Sequence, residues 1–202
     1  MLKASCRMKL TANLFSLCMV GLAAVFASGQ AQETTLNFAP SRTTINFTLG
    51  DVLHTVHGTF QLKSGEIHFV PASTKISGVL VVDATSGESG SGSRDRKMNK
   101  DVLESARYPE VTFRPDRLEG DVSSSGSSTV QVHGMFGIHG DEHEITVPAQ
   151  VELAPDHWSL TVHFKVPYVK WGMKDPSTFV LRVDKTVAID LRASGSNPVA
   201  QR

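Results

Sequence analysis

The sequence predicts an all-β protein: an antiparallel β-barrel of about eight strands with one short helix on a crossover loop. From residue 36 onward apolar and polar residues alternate, turn-forming residues separate the alternating runs, and one segment alone has helical spacing. Alternation places one set of side chains on each face of a strand, and one-sided alternation is typical of an antiparallel sheet with one dry face. About eight such strands close into a barrel whose interior holds one small ligand.

The first 31 residues have the three parts of a secretory signal peptide. The basic residues Lys3, Arg7 and Lys9 precede an apolar run that starts at Leu10, and small residues follow as far as Ala31. This pattern predicts cleavage after that alanine. The alternative is a single anchoring helix, but polar residues interrupt the run, which is short for a bilayer span of about 20 apolar residues.

Both cysteines of the sequence, Cys6 and Cys18, lie inside this leader. Cys18 lacks the small residues that precede a lipidated cysteine, so we expect no lipid anchor and no membrane span after cleavage. The mature chain would have no disulfide, no thiolate metal ligand and no cysteine nucleophile. These features predict a periplasmic or secreted protein, and a bacterial periplasm fits best.

Charge and composition exclude several classes of protein. Without the leader the chain has 17 basic and 20 acidic residues, a net charge of −3, so it lacks the basic face that nucleic acid requires. At 40% hydrophobic residues the sequence is too apolar for a disordered protein. Its length suits a single domain, which we place at residues 32–193 and which is followed by a loose tail at 194–202.

The strands are predicted from the alternating runs. In chain order these runs are Leu36–Phe38, Ile45–Leu49, Val56–Leu62, Ile67–Phe69, Ile76–Val82, Val111–Phe113, Val130–Ile138, Ile145–Leu153 and Trp158–Val166. A final run alternates from Phe179 to Leu191. Its 13 residues would span roughly 40 Å as a strand, a length that favours a tall barrel.

Two polar segments and one helix interrupt this pattern. Ser86–Ser93 is a flexible loop by composition, and Ser123–Ser128 indicates a hairpin tip or a loose connection. Between them, Arg94–Ala106 has apolar residues at helical spacing, with Ser93 available as its N-cap. The predicted barrel therefore has one helical crossover in its middle.

Eight histidines raise the question of a metal site, which would need three or four convergent ligands. His139 and His143 lie in a glycine-containing hairpin turn, and His54 and His57 would point to opposite faces of a regular strand. Three others alternate with apolar residues and are expected to face outward: His133, His157 and His163. We therefore expect surface histidines and no metal, with a metal site as the less favoured alternative.

The sequence contains no motif for nucleophilic catalysis, so we expect no catalytic residue and no enzyme. No serine lies in a Gly-x-Ser-x-Gly elbow, and the glycines near residue 90 lack the Lys-Ser/Thr of a phosphate-binding loop. Arg94 and Asp95, at the start of the helix, have two interpretations. Asp95 favours the helix dipole and could pair with Arg94, or Arg94 could meet an anionic head group at a barrel mouth.

Four segments together resemble the YceI-like family. Residues 93–113 contain an Arg-Asp helix start followed by a Tyr-Pro-x-x-x-Phe strand entry. Residues 47–60 resemble the first hairpin of the family, residues 134–140 a later glycine-rich segment, and residues 171–173 with the last strand its C-terminal end. The resemblance covers nearly the whole predicted mature chain.

This resemblance implies a lipocalin-like antiparallel barrel with an elongated apolar interior. Members of the family are exported, several bind polyisoprenoids or other long-chain amphiphiles, and no enzymatic activity is general to them. The sequence departs from the family in the helix, which lacks the usual His-Leu pair and Phe-Phe-Asp end, and in the turn at residues 138–143. The helix is the element that would cover the cavity.

We therefore predict a non-catalytic carrier that sequesters a polyisoprenoid or similar lipid in the barrel, with no other cofactor. The predicted apolar lining is Phe47, Leu49, Phe60, Phe113, Phe136, Leu160, Val162, Phe164, Phe179, Leu181 and Val183. Arg94 is predicted to bind the head group at the mouth. The alternative is a periplasmic stress or envelope protein with a filled barrel that acts through its loops at 86–93 and 121–129. Monomer and homodimer both remain open.

Overall fold

The computed structural model describes residues 33–50, 54–179 and 182–196, and these form an antiparallel β-barrel. The predicted signal peptide lies outside the described residues. Within them the strands are β1 (Thr34–Asn37), β2 (Thr43–Gly50), β3 (Thr55–Phe69), β4 (Ile76–Glu88), β5 (Glu110–Glu119), β6 (Gly126–Ile138), β7 (Asp141–Leu153), β8 (His157–Val166) and β9 (Val187–Ser196). The helical elements are a 3-10 turn (Pro40–Arg42), α1 (Gly92–Lys97) and a π-helical turn (Met98–Val102). No helix in this part of the chain is long and apolar enough to cross a membrane.

Eight strands, β2 to β9, close into the barrel, as the alternation predicts. Each pairs with its neighbours in the order β3-β2-β9-β8-β7-β6-β5-β4, and β4 pairs again with β3. The long strand β3 closes the ring because residues 55–60 pair with β2, whereas residues 59–69 pair with β4. The short strand β1 lies alongside the last four residues of β3. Closure gives each of the eight barrel strands a paired neighbour on both sides.

The two ends of the barrel differ. At the end that we call the helix end, β4 leads through residues 89–109 to β5, and β8 leads into the connection that starts at residue 167. The opposite end, the hairpin end, has the short connections 70–75, 120–125 and 154–156. The helical crossover therefore covers one end of the barrel only.

The turn between β6 and β7 confirms the predicted hairpin. His139 and Gly140 form a two-residue loop with φ values of 56° and 86°. Positive φ at both central residues is the geometry of a type I′ turn, which matches the twist of antiparallel strands. Glycine is needed at the second position for a further reason, because a Cβ there would lie 2.5 Å from Cε1 of Tyr108.

The hairpin end of the barrel is filled with side chains. Trp158 is 1% exposed, and its ring lies 5.0 Å from the ring of Phe38. It covers Gly195, where an added Cβ would lie 2.5 Å from the indole Nε1. Further buried residues pack beside it and form the floor of the interior: Leu36, Phe69, Leu118 and Val122.

The last strand does not begin where the alternation predicts. Residues 182–186 lie outside β9, which starts at Val187. Asp184 is held in the connection instead, because its N–H donates to the carbonyl of Gly50 and its carbonyl accepts from the hydroxyl of Tyr168. β9 then continues to Ser196, so the first three residues of the predicted tail belong to the sheet, where they pair with β8.

The polar segments and the helix also have different bounds from those predicted. β4 includes Ser86 to Glu88, and β6 begins at Gly126, so both predicted loops are shorter. Pairing with neighbouring strands overrides the loop composition at these positions. The helix begins at Gly92 with Ser91 as its N-cap, rather than Ser93. It ends at Val102 instead of Ala106, and residue 104 has a φ of 46°, which no helix accommodates.

The outer face of the barrel contains one covered histidine. His133 faces outward, as predicted, but its side chain is only 11% exposed because two carboxylates cover it. Nδ1 lies 2.6 Å from Oδ1 of Asp116, and Nε2 lies 2.7 Å from Oε1 of Glu144. These hydrogen bonds, with Asp116 the larger cause, raise the pKa of His133. The ring thus joins β6 to β5 on one side and to β7 on the other.

We predict that the melting temperature falls as the pH rises above about 6.5 and that replacing His133 by Gln flattens this dependence. The pKa of His133 is raised in the folded state, so its stabilising contribution is complete below the pKa of the unfolded chain and is lost as the pH rises through the folded value. Arg117 opposes the shift, and all other residues are the same in both proteins. The difference between the two melting curves against pH therefore isolates this residue, and parallel curves would contradict the prediction.

Candidate functional site

The interior of the barrel contains an apolar cavity of about 690 Å³. Its wall is formed by the inward-facing side chains of β2 to β9, together with Met98, Val102 and Leu103 from the helical crossover. This volume is within the range of pockets that hold one small ligand. The side chains that the alternation predicts to face inward are therefore the ones that form the wall.

Most of the predicted lining residues lie in this wall. Those that line the cavity are Phe47, Leu49, Phe60, Phe113, Phe136, Leu160, Val162, Phe164 and Val183. Leu181 lies outside the described residues. Further apolar residues of β6 and β7 line the cavity, and although they have the same alternating pattern they were not among the predicted lining residues: Val130, Val132, Ile138, Ile145, Val147, Ala149 and Val151.

Phe179 was predicted to line the cavity, and this prediction is wrong. Its side chain is fully exposed, at 103% of the reference value. The reason is that residue 179 lies in the connection between β8 and β9, where strand parity does not apply. In that connection Pro176 and Val183 face the cavity, whereas Phe179 faces away from it.

The inner wall shows that the barrel is not filled. Phe60, Leu160 and Phe164 point inward and yet are only partly buried, whereas Trp158 at the hairpin end is 1% exposed. Apolar side chains in a filled core are close-packed and lose their accessible surface. The partial exposure of these three is surface that faces the cavity, so the filled interior of the alternative hypothesis is wrong.

The helical crossover closes part of the helix end. Met98 packs over Gly87 and Phe60: a Cβ at residue 87 would lie 2.7 Å from Cε1 of Phe60 and closer still to the methyl group of Met98. Helical spacing in the sequence indicates that Met98, Val102 and Leu103 share one face, and this face lines the cavity. The crossover is therefore part of the site and not merely a connection.

Ser89 anchors the start of this crossover. Its backbone N–H and its hydroxyl both donate to Oδ1 of Asp95. Arg94 donates from Nε to the Ser89 hydroxyl at 2.7 Å and from Nη2 to the Ser89 carbonyl at 2.6 Å. Both residues of the Arg-Asp pair thus bind Ser89, which fixes the orientation of Arg94 at the cavity.

Tyr168 contributes a hydroxyl at the same end of the cavity. It donates to the carbonyl of Asp184 at 2.7 Å. This hydrogen bond joins the start of the connection between β8 and β9 to its end. Burial, assisted by the charges of Asp175 and Asp184, raises the pKa of Tyr168 to about 12. The phenol is therefore neutral at physiological pH and serves as a donor that holds the wall in place.

The histidines near this end pack against aromatic rings. His139 lies 4.8 Å from the ring of Tyr108, and His143 stacks on Trp171 at 4.1 Å. Within residues 33–50, 54–179 and 182–196, no three His, Cys, Asp or Glu side chains are placed to hold a metal ion. The chemistry available at the cavity is therefore apolar contact together with a few hydrogen-bond donors and cations at the helix end.

Comparisons with known proteins give the same fold. Residues 36–194 match the family model of the YceI-like domain. BcnA of Burkholderia cenocepacia is similar in structure, with a TM-score of 0.65, 15% identity, and coverage of 78% of this chain and 99% of BcnA. A polyisoprenoid binding domain of Saccharophagus degradans, implicated in plant cell wall breakdown, has a TM-score of 0.57 at 16% identity, covering 83% and 100% of the two chains.

A third similar structure is a YceI protein of Campylobacter jejuni, with a TM-score of 0.54 and 12% identity over 96% of this chain and 92% of that one. At such identities the likeness establishes the fold alone. None of the curated proteins matches this chain.

We predict that replacing Trp158 by Ala destabilises the fold much more than replacing Phe164 by Ala. The first change empties a close-packed site and should cost about 3–5 kcal/mol of unfolding free energy. The second removes a ring that already faces the cavity, so we expect about 1–2 kcal/mol. Chemical denaturation of the two variants measures both values. Equal losses would mean that Phe164 belongs to a filled core.

Proposed function

Because the chain belongs to the YceI-like family, we propose that it is a non-catalytic protein that binds one long apolar ligand inside its barrel. The ligand class that we propose is a polyisoprenoid or a similar amphiphilic lipid. The observation that carries the proposal is the open cavity of about 690 Å³ with its apolar wall. A polyisoprenoid binding domain is also among the proteins of similar fold.

The hydrophobic effect supplies the affinity in this proposal. Burying one CH2 group contributes about 0.8 kcal/mol, so each methylene that enters the cavity should lower the dissociation constant about fourfold. The wall offers few polar groups that a lipid chain would leave without a hydrogen-bond partner, and these lie toward the helix end. Affinity would therefore rise with chain length until the cavity is full.

The two ends of the barrel support one orientation of the proposed ligand. Trp158 and its neighbours fill the hairpin end, where a chain would have to displace close-packed side chains. The helix end has the hydroxyls of Ser89 and Tyr168 and the guanidinium of Arg94 beside the cavity. We propose that the apolar tail enters first and that the head group stays at the helix end, near Arg94.

We propose that the protein works in a bacterial periplasm or outside the cell. This proposal is supported by the leader at residues 1–31, with its basic start, apolar run and small residues before the cleavage position. An exported lipid carrier needs no cofactor besides its ligand. The same cavity serves delivery and storage of the lipid.

We predict that the protein purified from a periplasm without detergent retains a stoichiometric lipid. Native mass spectrometry would show the adduct, and solvent extraction of the same sample would yield a prenyl or acyl chain. Protein that is isolated without a ligand should take up added prenyl alcohols, with affinity that increases along a chain-length series. Absence of both retention and uptake would contradict the proposed function.

We predict that replacing Val162 by Trp abolishes lipid uptake, whereas replacing Thr161 by Trp leaves it intact. Val162 lines the cavity, so the larger ring occupies ligand volume, while its neighbour Thr161 is exposed on the outer face of the same strand. Melting curves of both variants serve as the control for folding. Equal uptake by the two folded variants would mean that the lipid binds outside the barrel.

A further inference from the structure

The charged side chains that line the cavity are all positive. Among the described residues that line it, the charged side chains are Arg94 and Lys97, and both are cations. They are three positions apart on α1, a spacing that places two side chains on the same face of a helix. The third basic residue of α1, Arg96, does not line the cavity.

Neither cation has a direct carboxylate partner among the described residues, and the Asp95 carboxylate reaches Arg94 only through the Ser89 hydroxyl. In the part of the chain that the structure describes, Arg94 and Lys97 form no ion pair. Arg94 uses Nε and Nη2 to bind Ser89, which is neutral. A guanidinium has five N–H groups, so three of them remain for a ligand. Charge-assisted hydrogen bonds to an anion are the strongest that such donors form.

The network around Ser89 orients one of these cations in advance. The Ser89 carbonyl and hydroxyl hold one edge of the Arg94 guanidinium, and Asp95 holds Ser89 through its N–H and hydroxyl. A planar guanidinium fixed in this way presents its free N–H groups as a fork, which fits carboxylate and phosphate oxygens. Lys97 adds a second, flexible positive charge one turn away.

From this arrangement we infer that the cavity selects amphiphiles with an anionic head group, a phosphate or a carboxylate, which Arg94 and Lys97 bind at the helix end. The inference rests on the proposed function, because it specifies the head of the lipid whose tail fills the barrel. A neutral head would form weaker hydrogen bonds with these donors than an anion would. A cationic head would be repelled by them, and no described acidic residue lines the cavity to compensate.

The experiment compares ligands that share one prenyl chain and differ in the head: geranylgeraniol, geranylgeranyl phosphate and geranylgeranoic acid. Dissociation constants are measured by titration at low and at high salt. We expect the two anionic lipids to bind about tenfold more tightly than the alcohol, with the advantage reduced by salt. The phosphate and carboxylate arms identify which anion the pair prefers.

Matched variants of α1 assign the effect to the two cations. Lys97→Gln should reduce the advantage of the anionic lipids several-fold and leave the affinity for the alcohol unchanged. The side chain of Lys97 forms no hydrogen bond or ion pair with a described residue and is exposed, so this variant tests charge without disturbing the crossover. Arg94→Lys keeps the positive charge but removes the forked N–H donors of the guanidinium. This variant should also weaken the binding of the anionic lipids. Arg96→Gln is the control, because Arg96 is on the same helix and does not line the cavity.

The outcomes separate this inference from the proposed function. Equal binding of the alcohol and both anionic lipids would overturn the anionic head group and leave the lipid-binding barrel in place. Loss of selectivity in Arg96→Gln as large as in Lys97→Gln would also overturn it, since the effect would then come from the overall charge of the helix. If none of the three lipids binds, the proposed function fails and the inference fails with it.

Discussion

The structure depends on one set of hydrogen bonds: those by which β3 pairs with β2 along its first residues and with β4 along the rest. This strand is 15 residues long, and irregularities between Thr59 and Gln61 and between Leu62 and Ser64 let it pass from one neighbour to the other. Such bulges bend a strand and increase its twist. Without that change of partner the sheet would have two open edges and no interior. Because the sheet is closed, the apolar side chains that alternate along each strand face an enclosed interior, and the polar ones face outward.

Because the two ends of the barrel differ, the interior is a site that opens at one end only. At the hairpin end the connections are short, and Trp158, seated over Gly195, fills the space between the strands. At the helix end the chain leaves the sheet for 21 residues between β4 and β5, and the apolar face of that crossover becomes part of the wall. The close-packed side chains at one end and the hydroxyls and cations at the other support the proposed orientation of an amphiphile, with its tail toward the hairpin end.

Low sequence identity is compatible with this architecture for a physical reason. The proteins of similar fold are 12–16% identical to this chain. A barrel of this kind requires that inward positions be apolar and of about the right volume, which many residues satisfy. The helix end is under a different constraint, because Arg94 and Ser89 interact there through specific donors and acceptors. We therefore expect ligand specificity to vary among such barrels where the crossover sequence varies, while the wall remains apolar.

The sequence by itself determined the strands, the fold class and most of the cavity wall, because period-two alternation records which side of a sheet each residue faces. Phe47, Phe136 and Phe164 are inward for that reason alone. The sequence could not place Phe179, since alternation continues across a segment that Asp184 and Tyr168 hold out of the sheet. Nor could it show that the barrel is open rather than filled, or that Lys97 joins Arg94 beside the cavity. Whether the barrel is open depends on the distance between opposite walls of the closed sheet, and the position of Lys97 depends on where the crossover packs. Both are set only when all eight strands are in place.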